Sequence, residues 1–221
     1  MAAEPGAPST VDAVDFFDEP ESISAAAVVI ATGASPGPAA TLAEEPWHGE
    51  ALVAGVVRRL AGLDAVVVVV RAEAHADLVD EIPDVTVIVD PEWEEGLAAP
   101  LRVGLDWLTH STSVRAAFVV NLNAPEIEPA ALEELIAAHA AAGNPVTVPK
   151  YRYVRGGPVL LDRDIWPHFL GAEGDLDLEA VLLAHPQWVT EARIDWAPPR
   201  HITNEDDVRQ FARQRPNHDL R

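Results

Sequence analysis

Cysteine is missing from this chain, and cations are scarce: 15 Lys and Arg stand against 36 Asp and Glu, a formal charge of −21 over 221 residues. Without a thiol there is no disulfide, no thiolate metal site and no cysteine nucleophile. So acidic a surface repels polyphosphates, which argues against nucleic acid and against an anionic membrane as partners. No apolar run reaches the roughly 20 residues that span a bilayer. The acidic amino end also lacks the basic stretch of a secretory signal, so the expected location is the cytoplasm. The sharpest gap is local, because no Lys or Arg precedes Arg58.

What is present reads as one α/β domain. Residues 1–24 mix Pro, Ser, Ala and acids (Asp12, Asp15, Asp18, Glu19, Glu21) around Phe16 and Phe17, and are expected to form a flexible acidic tail. The folded domain is expected over 25–213, with 214–221 as a second tail. Strands are expected at Ala25 to Ala31, Ala65 to Val70, Val85 to Val89, Ala116 to Leu122, Pro145 to Pro149 and Val189 to Asp195. Helices are expected at Glu50 to Ala61, Glu73 to Val79, Leu101 to Thr109, Pro129 to Ala142, Leu178 to Ala184 and Glu205 to Arg213. The uniformly β-branched run Val66 to Val70 suits a strand buried on both faces. Alternation of such strands with amphipathic segments predicts a doubly wound, mostly parallel sheet in an αβα sandwich, with ligands at the carboxyl ends of the strands.

The first strand runs into Thr32, Gly33, Ala34, Ser35, Pro36 and Gly37, a turn whose backbone N–H groups could cradle a phosphate. A triphosphate site normally adds cationic side chains to such a cradle. Here none is near in sequence. Gly33 to Gly37 also matches the Gly-x-Ser-x-Gly nucleophile elbow, but the residue after the serine is Pro36, which has no N–H for an oxyanion. The same turn lacks both the Gly-Lys-Ser/Thr ending of a P-loop and the spacing of a dinucleotide fingerprint. Eight histidines are dispersed, with no pair at helical ligand spacing. The tryptophans, Trp166 and Trp188 among them, are read as packing residues.

Three segments in order carry a resemblance. Asp90 to Gly96 reads Asp-Pro-Glu-Trp-Glu-Glu-Gly, followed at Leu101 to Leu105 by Leu-Arg-Val-Gly-Leu. Ala117 to Pro125 is a strand ending in Asn-Leu-Asn-Ala-Pro, and Tyr151 to Leu161 carries Arg155-Gly156-Gly157-Pro158-Val159-Leu160. Together they resemble the MobA-like nucleotidyltransferases, in particular the branch of molybdenum-cofactor cytidylyltransferases. The corresponding family motifs are Asn-Pro-x-Trp-x-x-Gly, Asp-Gln-Pro and Arg-Gly-His-Pro-Val-Leu. Ile202 to Val208 is similar to the family's closing Asp-Ile-Asp-Thr-Pro-Glu-Asp-Leu. The fold implied is that of the nucleotide-diphospho-sugar transferases, a GT-A-like sheet.

The resemblance implies that a nucleoside triphosphate binds at the first turn and that a substrate phosphate attacks its α-phosphorus with Mg²⁺ assisting. Nucleotide-binding candidates carried over are Ala31, Thr32, Gly33, Ala34 and Ser35 in the turn, with Asp90, Gly96, Arg102 and Asn123 beyond it. On the acceptor side they are Arg155, Gly156 and Gly157. The metal positions fall on Asn123 and Thr203, where the family has acids. The turn's usual Arg and Lys are replaced over Ala34 to Pro46 by residues that include Glu44 and Glu45, and the Ser-rich stretch before Leu101 is Ala98-Ala99-Pro100. No catalytic residue is assigned.

Loss of charge at three linked places favours a family member that is weak or inactive as a transferase. Two readings stand beside it: an active Mg²⁺-dependent enzyme passing a cytidylyl or guanylyl group to a phosphorylated acceptor such as a molybdopterin-type cofactor, and a non-catalytic regulatory protein with a partner on its acidic tail. A glycosyltransferase, with Asn121-Leu122-Asn123 in place of Asp-x-Asp, ranks last. The implied ligand is a nucleotide or a small phosphorylated molecule.

Overall fold

The computed structural model describes residues 23–31, 46–47, 50–71, 79, 82, 84–92, 98–172, 176–202 and 205–212. Its centre is β1 (Ala25–Ala31), buried along its whole length. Ala25, Ala27, Val29 and Ala31 enter one apolar cluster, while Ala26, Val28 and Ile30 enter another. Period-two sorting into two cores is what a strand does when both faces of its sheet are covered.

Around it lie β4 (Ala65–Val70), β5 (Thr86–Val89), β6 (Ala116–Asn121), β7 (Val146–Tyr151), β9 (Val159–Asp162) and β10 (Val189–Ile194). The sheet order is β10-β7-β9-β6-β1-β4-β5, with the short β8 (Val154–Arg155) paired to β7. β5, β4, β1 and β6 are mutually parallel, as are β10 and β7, and β9 runs antiparallel between β6 and β7. Val28 stands opposite Val67 on one side and Val119 on the other. A separate ribbon pairs β2 (Pro46–Trp47) with β3 (Glu50–Ala51).

Helices α1 (Leu52–Arg59) and α3 (Pro129–Ala142) cover one face, contributing Val53, Val56, Leu132 and Leu135 to its core. α2 (Ala98–Ser111), α4 (Trp166–Leu170) and α5 (Leu178–Ala184) cover the other with Leu101, Leu105, Trp166, Phe169 and Leu182. α6 (Glu205–Ala212) follows near the carboxyl end. α2 lies so close to β1 that a Cβ on Gly104 would come within 2.3 Å of Val28 Cγ1. Pro129 opens α3, and Gly143, at φ 68°, stops it in a left-handed conformation.

The expected doubly wound, mostly parallel sheet is what forms. β9 was not among the expected strands: its Val-Leu-Leu-Asp sits directly after a Gly-Gly-Pro turn, and four residues offer too little pattern to separate a strand from a loop. The helix expected from Glu50 starts at Leu52, because Glu50 and Ala51 pair with Pro46 and Trp47. The helix expected at Glu73 to Val79 lies outside the described residues except for Val79, as do both expected tails apart from Ile23 and Ser24. Among the described residues no helix is long and apolar enough to cross a membrane.

Candidate functional site

At the carboxyl ends of β1, β6 and β7 a cavity of about 600 Å³ opens, with Ile30, Asn121 and Val148 in its lining. Its walls are largely aliphatic, drawing on Leu101, Val119, Val159, Leu178 and Leu182. Polar groups come from three directions. Asn121 and Asn123 belong to the end of β6 and the turn after it, Arg155 to Gly157 to β8 and its exit, and Asp177 and Glu179 to the start of α5; His201 closes the set.

Local bonding fixes this arrangement. The Asn121 side chain accepts the Asn123 backbone N–H at 3.1 Å, an Asx-type turn that ends the strand. The Asn123 carbonyl in turn accepts Ile202 N–H at 2.7 Å. A forked pair between Arg200 and Glu126, 2.7 Å at Nε, holds the same two segments together, and Glu126 pulls the Arg200 guanidinium's pKa up. Tyr151 donates its phenol to the Gly157 carbonyl at 2.9 Å and sits buried under the turn, which raises its pKa to about 12. Asp177 caps α5 by accepting Ala180 N–H at 3.1 Å.

Charge at this rim is paired. Arg155 Nε donates to Glu191 Oε1 at 2.7 Å, and the other oxygen of that carboxylate takes Lys150 Nζ. These two bonds hold the Glu191 carboxyl below the usual carboxylate range.

The structure gathers Asn123, Arg155, Gly156 and Gly157 around one cavity and leaves other candidates outside its lining. Ala31 is buried in the core below it. Asp90, at the end of β5, is 1% exposed; its Oδ1 accepts Glu92 N–H at 2.9 Å and its Oδ2 has no hydrogen-bond partner among the described residues. Burial pushes the Asp90 carboxyl up, the Glu92 N–H opposing it. Arg102 turns to Glu92 and to the Ala172 carbonyl, and lines a separate groove with Ile88 and Trp107. Thr32, Gly33, Ala34, Ser35, Gly96 and Thr203 lie outside the described residues, although Ile202 brings the chain to the position before Thr203. Sequence reasoning missed Glu191. The alternation of buried Ala192 and Ile194 with exposed Glu191 and Arg193 marked it as facing away from that core, but not as the partner of β7's lysine.

Mg²⁺ is a hard cation that is usually held through one or two carboxylates, and the asparagines at the end of β6 supply none. Asn123 offers a neutral carbonyl, Asn121 Oδ1 is engaged by a backbone N–H, and the two lining carboxylates, Asp177 and Glu179, stand at the start of α5, where one Asp177 oxygen caps the helix. Among the described residues no group of three or more His, Asp or Glu could hold a metal ion.

The mixed, largely parallel sheet is the fold expected of the nucleotide-diphospho-sugar transferases, and solved structures share it. A homologue of Rv0371c from Mycobacterium sp. strain JC1 superposes with a TM-score of 0.71 at 18% identity, covering 85% of this chain and 94% of that one. Rv0371c of Mycobacterium tuberculosis H37Rv, in complex with manganese, gives 0.69 at 21% identity, covering 87% and 100%. CMP:2-keto-3-deoxy-manno-octonic acid synthetase, complexed with CTP, gives 0.66 at 13% identity, covering 86% and 97%. The chain itself belongs to the MobA-like NTP transferase domain family, whose model matches residues 27–188. No curated protein sequence matches it.

Proposed function

We propose that this chain is a MobA-like family member, of the molybdenum-cofactor cytidylyltransferase-like branch, that keeps the family's binding cavity and has lost most of its transferase chemistry. The single observation that carries this is the pairing of Arg155 with Glu191: the one guanidinium among the described lining residues is already engaged by an acid. The first turn cannot replace it, since no Lys or Arg precedes Arg58.

Nucleotidyl transfer forms a bond from an acceptor phosphate oxygen to the α-phosphorus and breaks the bond to pyrophosphate. Catalysis there is largely positioning and charge neutralisation, and the departing pyrophosphate needs cations close by. Asn123 and the Ile202 segment remain joined by a hydrogen bond, which supports a retained pocket. The carboxamide of Asn123, where the family has an acid, argues against a resident Mg²⁺, in contrast to the manganese complex of Rv0371c.

A pyrophosphate-release assay with CTP, GTP, ATP and UTP, under Mg²⁺ or Mn²⁺ and with phosphorylated acceptors, tests the reading. Rates at background are expected. Turnover lost in Asn123→Ala would establish the active alternative.

A further inference from the structure

We infer that Glu191 sets the cavity against anions, so that its ligand is an uncharged, mostly apolar molecule with an amide-type polar edge. This rests on the charge-depleted reading above and adds both the ligand class and the residue responsible.

Three cations stand side by side across the sheet, because Lys150 on β7 is in register with Arg193 on β10 and with Arg155 on β8. Such a row would be a ready anion site, and like charges directly opposite one another repel. Each is tied to an acid instead. Arg193 Nε donates to Asp195 at 3.0 Å, and Glu191 holds both of the others. One carboxylate therefore engages both the lysine and the arginine and cuts their joint charge from two to one. Asp177 and Glu179 add two more negative charges to the lining.

A phosphate entering here would compete with Glu191 for the two cations and approach those acids. An uncharged ligand meets neither cost. What the cavity offers it is an aliphatic wall and the carboxamide of Asn123, which carries a donor and an acceptor with no partner among the described residues; a ring bearing N–H beside C=O matches that pair. A volume of about 600 Å³ accommodates such a molecule.

Calorimetric titration of the full chain with uridine, uridine monophosphate and uridine triphosphate in Mg²⁺ supplies the test, since the ring is constant while charge rises. Uridine should bind saturably, and affinity should fall by about tenfold or more from nucleoside to triphosphate. In Glu191→Gln that gap should narrow by about fivefold, as freed cations regain a partner in the phosphates. Adding Arg155→Gln to Glu191→Gln should restore the wild-type gap, an effect that a merely structural Glu191 would not produce. A gap unchanged in Glu191→Gln overturns the inference. So does absence of binding by both uridine and its triphosphate, which leaves the charge-depleted reading standing. Triphosphate binding tightest to the wild-type chain overturns both.

Discussion

The two ends of the sheet treat charge in opposite ways. At the amino end, where β6 begins and β9 stops, a buried carboxylate is interlocked with its neighbours: Asp162, 6% exposed, accepts from Arg115 Nε at 2.8 Å and faces His139 Nε2 at 3.4 Å, while His139 Nδ1 lies 2.9 Å from the Thr147 hydroxyl. Arg115 also reaches Asp164 at 3.1 Å, and Arg163 donates to the carbonyls of Thr109 and Val114. At the carboxyl end the walls are aliphatic and the cations at the rim are masked by partly exposed acids. Charge at the first end holds helices and strands in register. At the second it decides what can enter.

Breaking one pair at each end sharpens the contrast. The largest effect is expected from Asp162→Ala, which leaves His139 and Arg115 without their shared acceptor; losing a buried acceptor of two hydrogen bonds costs about 2 kcal/mol, and urea denaturation should show it. Equal destabilisation by a change at Glu191 would collapse the comparison. Glu126→Gln weakens the half-buried clamp to Arg200 and should cost about 1 kcal/mol by the same measurement, with a loss of ligand affinity at the cavity that Asp162→Ala does not share.

A smaller effect is expected from pH. Burial lowers the His139 pKa below imidazole's ordinary 6.5, the Asp162 contact opposing it. The unfolded chain therefore takes up a proton before the folded one does. Stability should be level above about pH 6.5 and fall as pH drops below it, with a slope reduced in His139→Asn. Smallest of all is the stability change in Glu191→Gln, within about 0.5 kcal/mol for an exposed pair, even though its effect on anion binding is the largest.

Much of the fold was legible because two central strands are uniformly apolar. Ala25 to Ala31 and Ala65 to Val70 are apolar at every position, and Pro129 with Gly143 brackets α3, so their bounds follow from composition and punctuation. β9 and α4 were not legible, being four and five residues long and set by contacts with β6, β7 and α2 rather than by their own pattern. For the site, Asn123 and Arg155 to Gly157 were found through motifs that keep their order along the chain. Glu191 and the clamp between Arg200 and Glu126 lie 36 and 74 residues from their partners, a pairing that only the closed sheet creates. The turn after β1, where the sequence raised the first question, stays defined by its composition: it lacks a cation whatever its conformation.

The most direct test of that charge depletion is titration of the full chain with magnesium uridine triphosphate at physiological ionic strength, with binding read by calorimetry and pyrophosphate by a coupled assay. Binding at least about tenfold weaker than that of uridine, a difference of about 1.4 kcal/mol, is expected, with no pyrophosphate. Saturable, metal-dependent binding below about 100 μM with release of pyrophosphate would contradict it.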